Sequence, residues 1–376
     1  MRIAVDARQI YRRERRGIGK TLVQLYSTLA RRRPEWRFRL LHQDAVSVPQ
    51  VTATPNVTPV RVDLPGLNRF DAWEQALLPV LAWAGRADVL HAPANTGPRT
   101  SVVPVVLTVH DLIPVELAPT APDTLAWLAK VRRAAGRARR VVTVSEYSKS
   151  QLVGLLGLAP GKVAVVPWAA DPELVRVTDP TALDLVRAKF GLRPGERYVF
   201  GFGAADPRKN TDRLIRAFAG LPAGVKNEVR LVLVGIQPQA LGAFRNLADG
   251  LGLGERCLLH GFTAEADLPG LLSGAAVLGF PSRTEGFGLP ILDAFVCGVA
   301  VLTGDRSSLP EVAGDAALLV DAGDDGAVRD GLLNLLTDEN LRTDLVRRGF
   351  ARAGLYSWDR TAEAVAAVFE AVAGGA

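Results

Sequence analysis

Ala275-Ala276-Val277-Leu278-Gly279-Phe280, then Glu285-Gly286-Phe287-Gly288-Leu289-Pro290-Ile291-Leu292-Asp293, then Ala300-Val301-Leu302: two apolar runs flank a segment whose glycines and proline spell a strand, a turn and a helix start. Gly286 and Gly288 permit backbone angles or close approaches that a Cβ would block. Pro290 suits a first helical turn, where its missing N–H costs nothing. Backbone N–H groups then point out of the turn, and such a terminus attracts anions because its donors and the helix dipole both favour negative charge. Glu285 stands just outside the expected helix and Asp293 inside it, at most about 12 Å apart along a fully helical segment. That span reaches two polyol parts of one ligand. On the turn alone, an ordinary βα connection with solvated carboxylates explains the stretch equally well.

Outward from this stretch, βα units repeat. Residues 2–5 form a short apolar strand, followed by a polar loop carrying Gly17-Ile18-Gly19 and an amphipathic helix over 21–29. A lone G-x-G falls short of the three-glycine dinucleotide fingerprint. Further strands are expected at 38–41, 57–62, 88–91, 102–109, 141–144 and 162–166, and their alternation with helical stretches argues for a parallel sheet covered on both faces. His110 and Asp111 leave the carboxyl end of one of these strands, where such sheets bind ligands. A histidine merely satisfied by Asp111 or by the backbone is the competing account. Ser145 reads as a helix N-cap. Residues 167–180 hold three prolines and no clear period, which suits an interdomain connection.

The second half restarts the pattern. A strand over 197–203 leads to Asp206-Pro207-Arg208-Lys209-Asn210-Thr211 and a helix to residue 219. Two cations on a βα loop just ahead of a helix make an anion site by charge and dipole together; Arg208 can grip two phosphate oxygens while Lys209 supplies a point charge. A solvated basic turn is the bland alternative. Strands follow at 229–235 and 257–262, then helices at 264–273, 324–337, 339–353 and 358–373.

A chain of 376 residues with 48% hydrophobic content buries a large core, and its length favours two domains. No run approaches about 18 uninterrupted apolar residues, and the chain enters directly into a strand, so a cytoplasmic, uncleaved protein is expected. Cys257 and Cys297 lack metal-ligand spacing and read as buried free thiols. His42, His91, His110 and His260 form no paired spacing, so no tightly bound protein-ligated metal is expected.

The net charge of +6 is uneven: residues 1–150 hold 23 Lys+Arg against 12 Asp+Glu, and the rest 22 against 27. Basic runs lie at 12–16, 31–33 and 130–140. Nucleic acid, a membrane surface and a phosphorylated acceptor all suit a basic first half. For the helix at 21–29, a core-facing role with solvated charged ends is favoured over membrane contact.

Glu285-Gly286-Phe287-Gly288-Leu289-Pro290 followed by Asp293 resembles the E-x7-E signature of the retaining family 4 glycosyltransferases of the GT-B fold, with Asp293 where the family usually has Glu. Thr108-Val109-His110-Asp111-Leu112-Ile113-Pro114, Arg208-Lys209-Asn210 and Gly17-Ile18-Gly19 also resemble pieces of that family, in the expected order. The resemblance spans essentially the whole chain. It implies an α/β GT-B architecture: two Rossmann-like domains facing across a cleft, with a C-terminal helix crossing back to the first. The expected boundaries are 1–170 plus the helix 358–376 for the acceptor-side domain, 181–357 for the nucleotide-sugar domain and 167–180 for the linker.

By the same resemblance, His110, Glu285, Arg208 and Lys209 carry the chemistry. Gly17, Gly19, Asp111, Gly261, Phe262, Gly286, Phe287, Gly288, Leu289 and Asp293 bind substrates, with Gly261 and Phe262 near the nucleotide base. No cofactor or metal is implied beyond a nucleotide-diphosphate sugar as co-substrate. The phrases most resemble bacterial mannosyl- and rhamnosyltransferases of cell-surface polysaccharide pathways, which favours GDP-mannose as donor and a glycan, lipid-linked or small-molecule acceptor. Peripheral contact with an anionic membrane at its inner face is allowed by the basic half, and no nucleic-acid partner is expected. The rival readings are a nucleotide-sugar epimerase or hydrolase on the same fold, a nicotinamide-dependent oxidoreductase, which lacks its complete fingerprint here, and a basic nucleic-acid- or membrane-binding module.

Overall fold

The computed structural model describes residues 1–13, 15, 17–63 and 70–375, and the chain divides into two compact units, Met1–Trp168 with Tyr356–Ala376, and Ala169–Leu355. In the first, β1 (Arg2–Asp6), β2 (Arg37–His42), β3 (Val57–Arg61), β4 (Val89–Ala92), β5 (Val105–Thr108), β6 (Arg140–Thr143) and β7 (Val163–Val165) form one sheet in the order β3-β2-β1-β4-β5-β6-β7. Every pair is parallel. All residues of β4 and β5 are buried, as strands covered on both faces require.

One cover of this sheet is built from both ends of the sequence. The helix Gly17–Arg32 buries Leu22, Leu25, Tyr26 and Leu29, the three-and-four spacing of one helical face. The last helix, Trp358–Ala373, packs beside it and buries Ala362, Val365, Phe369 and Val372. Phe369 is fully buried and meets the ring of His91 edge-on at 5.2 Å. At the rim, Arg33 reaches Glu363 at 2.6 Å and Arg32 reaches Asp359 at 3.3 Å. The basic run at 31–33 is therefore partly neutralised within the fold.

In the second unit, β8 (Arg197–Phe202), β9 (Val229–Val234), β10 (Cys257–Leu259), β11 (Val277–Phe280), β12 (Ala300–Gly304) and β13 (Leu318–Val320) pair in parallel in the order β10-β9-β8-β11-β12-β13. Gly279 sits where a Cβ would lie 2.8 Å from Leu214 Cδ1. Its bare backbone lets the helix Thr211–Ala219 press onto the strands. In both sheets the strand order turns around, between β1 and β4 and between β8 and β11. Ligands of such sheets bind outside the carboxyl ends of the strands at that point.

Several elements differ from their expected extents. The strand at 257–262 stops at Leu259, because Gly235 (φ +82°) turns the neighbouring chain so that its amide bonds Gly261 O, and the regular ladder ends. The helix at 264–273 is a 3₁₀ turn, Glu265–Asp267, followed by a helix from Leu268 with Pro269 in its first turn. The helix at 21–29 runs from Gly17 to Arg32. Both cysteines are free and buried. Among the described residues, no helix is long and apolar enough to cross a membrane.

All four histidines are held below the usual histidine range, each chiefly by burial. His91, between the hydroxyls of Tyr26 and Thr108, is lowered to about 3, and His110 to about 4. A folded-state value below the unfolded one means that the unfolded chain binds more protons as pH drops through ~6.5, so stability falls there. Urea unfolding should show a loss of up to about 1.4 kcal/mol per pH unit for each of these two histidines between pH 6.5 and 5. A flat profile across that window contradicts buried neutral rings. Separately, Phe369→Ala should cost about 3–5 kcal/mol of stability; Arg33→Ala, at the rim, should cost less than about 1 kcal/mol. Equal losses would contradict the packing of the last helix.

Candidate active site

In the second unit, the loops leaving β8 and β11 carry the residues singled out in the sequence. Asp206 opens the first loop by accepting from Arg208 N at 3.1 Å, a side-chain turn that Pro207 pre-sets. The loop ends at Asn210 in the left-handed region (φ +54°), a conformation asparagine tolerates. Its buried Nδ2 donates to Pro281 O and Ala322 O, both at 2.8 Å. Arg283 N donates to Arg208 O at 2.8 Å. The two loops are therefore joined through the backbone as well as through side chains.

The second loop enters the helix Leu289–Cys297 through Gly288 at φ +112°, with Pro290 in the first turn, as the glycine-proline spacing requires. Ser308 Oγ donates to the carbonyls of Glu285 and Phe287, and Ser307 Oγ accepts from Glu285 N at 3.0 Å. Glu285 is 7% exposed. Its Oε2 accepts from Arg208 Nη1 and its Oε1 from Lys209 Nζ, each at 2.6 Å. Arg208 Nε also donates to Asp206 Oδ2 at 2.7 Å. Burial disfavours the charged guanidinium, but Glu285 and Asp206 outweigh it, and the Arg208 pKa is raised. The ammonium of Lys209 lies 5.1 Å from the centre of the Phe280 ring.

The structure thus brings Arg208, Lys209 and Glu285 into direct contact beside a helix N-terminus. Asp293 lies within the same helix, half-buried, and its Oδ1 accepts from Asp171 N at 3.2 Å. Gly286, Phe287, Gly288 and Leu289 make the turn between. Gly261 and Phe262 follow β10, and Phe262 is 88% exposed, an uncovered aromatic face at the carboxyl edge of the sheet.

In the first unit, His110 follows β5 at the carboxyl edge. Its Nε2 donates to Pro93 O at 2.8 Å, since a carbonyl only accepts, and the neutral ring keeps an unprotonated Nδ1. Asn95, at φ +67°, accepts from His110 N at 2.7 Å, and the imidazole lies 5.9 Å from the Trp168 ring. Asp111 accepts from Ile113 N at 3.1 Å and starts the short helix that follows. Gly17 and Gly19 open the helix Gly17–Arg32. A Cβ on Gly19 would lie 2.6 Å from Gln9 O, whereas one on Gly17 meets nothing within 4 Å.

Sequence reasoning gave no individual role to Asp206 and Asn210, within the motif it quoted, nor to Ser307, Ser308 and Asn95. The Asp-Pro dipeptide signals a side-chain turn. The others act by tying loops that are distant in sequence, which no local pattern reveals.

A family model described as Glycosyltransferase Family 4 matches residues 15–174, and one described as Glycosyl transferases group 1 matches residues 184–352. The chain is 30% identical over 257 residues to the O-antigen chain mannosyltransferase B of Escherichia coli, covering 68% of this chain and 67% of that protein. It is 29% identical over 262 residues to the serotype-specific mannosyltransferase WbdA of Escherichia coli, covering 68% of this chain and 32% of that larger protein. The structure aligns over 100% of its length and 100% of the other with a sucrose-phosphate synthase from Thermosynechococcus elongatus, at a TM-score of 0.80 and 19% identity. The two parallel-sheet Rossmann-like units are those of the GT-B fold, and the chain belongs to glycosyltransferase family 4.

Proposed function

We propose that the protein transfers mannose from GDP-mannose to a hydroxyl of a glycan, lipid-linked or small-molecule acceptor, with retention of anomeric configuration and without a protein-held metal ion. The observation that carries this reading is the Arg208–Glu285–Lys209 cluster, set between the carboxyl ends of β8 and β11 against a helix N-terminus. The mannosyltransferase relatives support the choice of sugar.

Breaking the bond between a sugar and a diphosphate builds negative charge on the leaving group. Fixed donors there stabilise the transition state more than the ground state. Arg208 Nη2 makes no hydrogen bond among the described residues, and Lys209 Nζ donates only to Glu285. Those spare N–H groups are the ones assigned to the diphosphate. Each carboxylate oxygen of Glu285 accepts one hydrogen bond from these cations and has a further lone pair for a sugar hydroxyl. Asp293 is assigned to ribose hydroxyls. His110, neutral with Nδ1 open as an acceptor, is assigned to the donor sugar near its reacting carbon.

Lys209→Ala and Glu285→Gln should each lower kcat/KM for transfer from radiolabelled GDP-mannose by about 10²–10³-fold, the usual cost of removing one preorganised group. Near-normal turnover in either variant overturns that assignment. Release of free mannose with no transfer to any acceptor favours a hydrolase of the same fold. For the donor, thermal unfolding with GDP, UDP, dTDP and ADP discriminates directly, because a nucleotide at 100 times its Kd adds about 2.7 kcal/mol. GDP should raise the midpoint most; a larger shift with UDP overturns the choice of GDP-mannose.

A further inference from the structure

Three basic runs mark the first half of the sequence, and the fold treats them differently. The run at 31–33 meets carboxylates of the last helix. The run at 12–16 includes residues 14 and 16, which lie outside the described residues. In the run at 130–140, Lys130 pairs with Asp71 at 3.0 Å, whereas Arg137, Arg139 and Arg140 line a cavity of about 980 Å³ together with Arg99 and Lys162. Among the described residues, no Asp or Glu lines it. Val105 begins β5, Arg140 begins β6 and Lys162 immediately precedes β7. The cavity therefore opens at the amino edge of the sheet, opposite the edge that carries His110.

Among the described residues, none of these five cations makes an ion pair. Arg139 donates to Gly375 O at 2.7 Å, Lys162 to Gly136 O at 2.7 Å and Arg140 to Gly161 O. These carbonyls hold the side chains in place without neutralising them. The side chains of Arg99 and Arg137 make no hydrogen bond at all among the described residues. Burial lowers the Lys162 pKa from its ordinary value, with no carboxylate to oppose it. Five like charges around one concavity repel one another, and an anion placed there relieves that repulsion. The volume lies at the upper end of small-molecule sites, room for more than one phosphate.

We propose that this cavity is a second anion site, for a ligand presenting two or more phosphate groups, either free in solution or displayed together as headgroups of an anionic lipid surface. The two sources share one chemistry, charge-assisted hydrogen bonds from guanidinium groups to phosphoryl oxygens. The inference does not rest on the proposed transfer reaction, because every residue it uses belongs to the first unit, whereas Arg208 and Lys209 belong to the second.

The test uses the full chain and the double variant Arg99→Gln/Arg137→Gln, which removes two charges whose side chains make no hydrogen bond or ion pair among the described residues. Titration calorimetry with inorganic pyrophosphate reads the free-anion source. Co-sedimentation with phosphatidylglycerol–phosphatidylcholine vesicles, against phosphatidylcholine alone, reads the headgroup source. In at least one arm the wild type should bind and the variant should bind about tenfold more weakly or worse, with its unfolding midpoint and nucleotide affinity unchanged. Pyrophosphate held at the Arg208 loop is common to both proteins and cancels in the comparison. Binding equal in both proteins in both arms, or no binding by the wild type in either, overturns the proposal.

Discussion

A buried carboxylate between two cations organises the loops at one edge of the second unit's sheet. Glu285 is taken out of water by its own loop, and Arg208 and Lys209 compensate it from a loop more than seventy residues earlier. An unpaired buried charge of this kind would be costly. The two loops must therefore lie together, and they do so only because β8 and β11 are neighbours although β9 and β10 intervene in sequence. Strand order thus sets the local electrostatics: parallel pairing at that point brings a basic turn and an acidic one to the same end of the sheet.

The first unit buries two histidines among neutral groups. His110 and His91 lie at and within the same sheet, deep enough that protonation is disfavoured, and each is satisfied by neutral partners. A neutral imidazole with one nitrogen committed to a backbone carbonyl has a fixed tautomer, and thus a fixed place for its lone pair. Charge in this unit is buried where Arg8 pairs with Asp6 and Glu74, lies at the rims where the last helix supplies carboxylates to Arg32 and Arg33, and lines a cavity with no Asp or Glu among the described residues.

Much of this was legible in the sequence. The helices at 324–337, 339–353 and 358–373 were readable as helical stretches, and the structure adds what starts them: the side chains of Asp324, Asp338 and Ser357 accept from backbone amides of the first turns. The turn at 285–290 was readable because glycine and proline leave local signatures. The grip of Arg208 on Glu285 was legible only as two separate anion-site motifs; that the cations bind the acid itself depends on strand order, which neither loop encodes. The anchoring by Asn210 and Ser308 was hidden for the same reason. Strand β10 was overestimated because Phe262 reads as a last apolar strand residue beyond His260 and Gly261, whereas the turn that ends the ladder belongs to Gly235, just after β9.

Asn210 ties the two loops without any charge of its own. Because its amide fixes Pro281 and Ala322 through main-chain carbonyls, the relative position of the two loops has a support independent of the side-chain ion pairs. In the proposed transfer, Arg208 and Lys209 would exchange the oxygens of Glu285 for those of a diphosphate while the scaffold beneath them stays still. A site built in this way spends little reorganisation energy when charge arrives, and little again when it leaves.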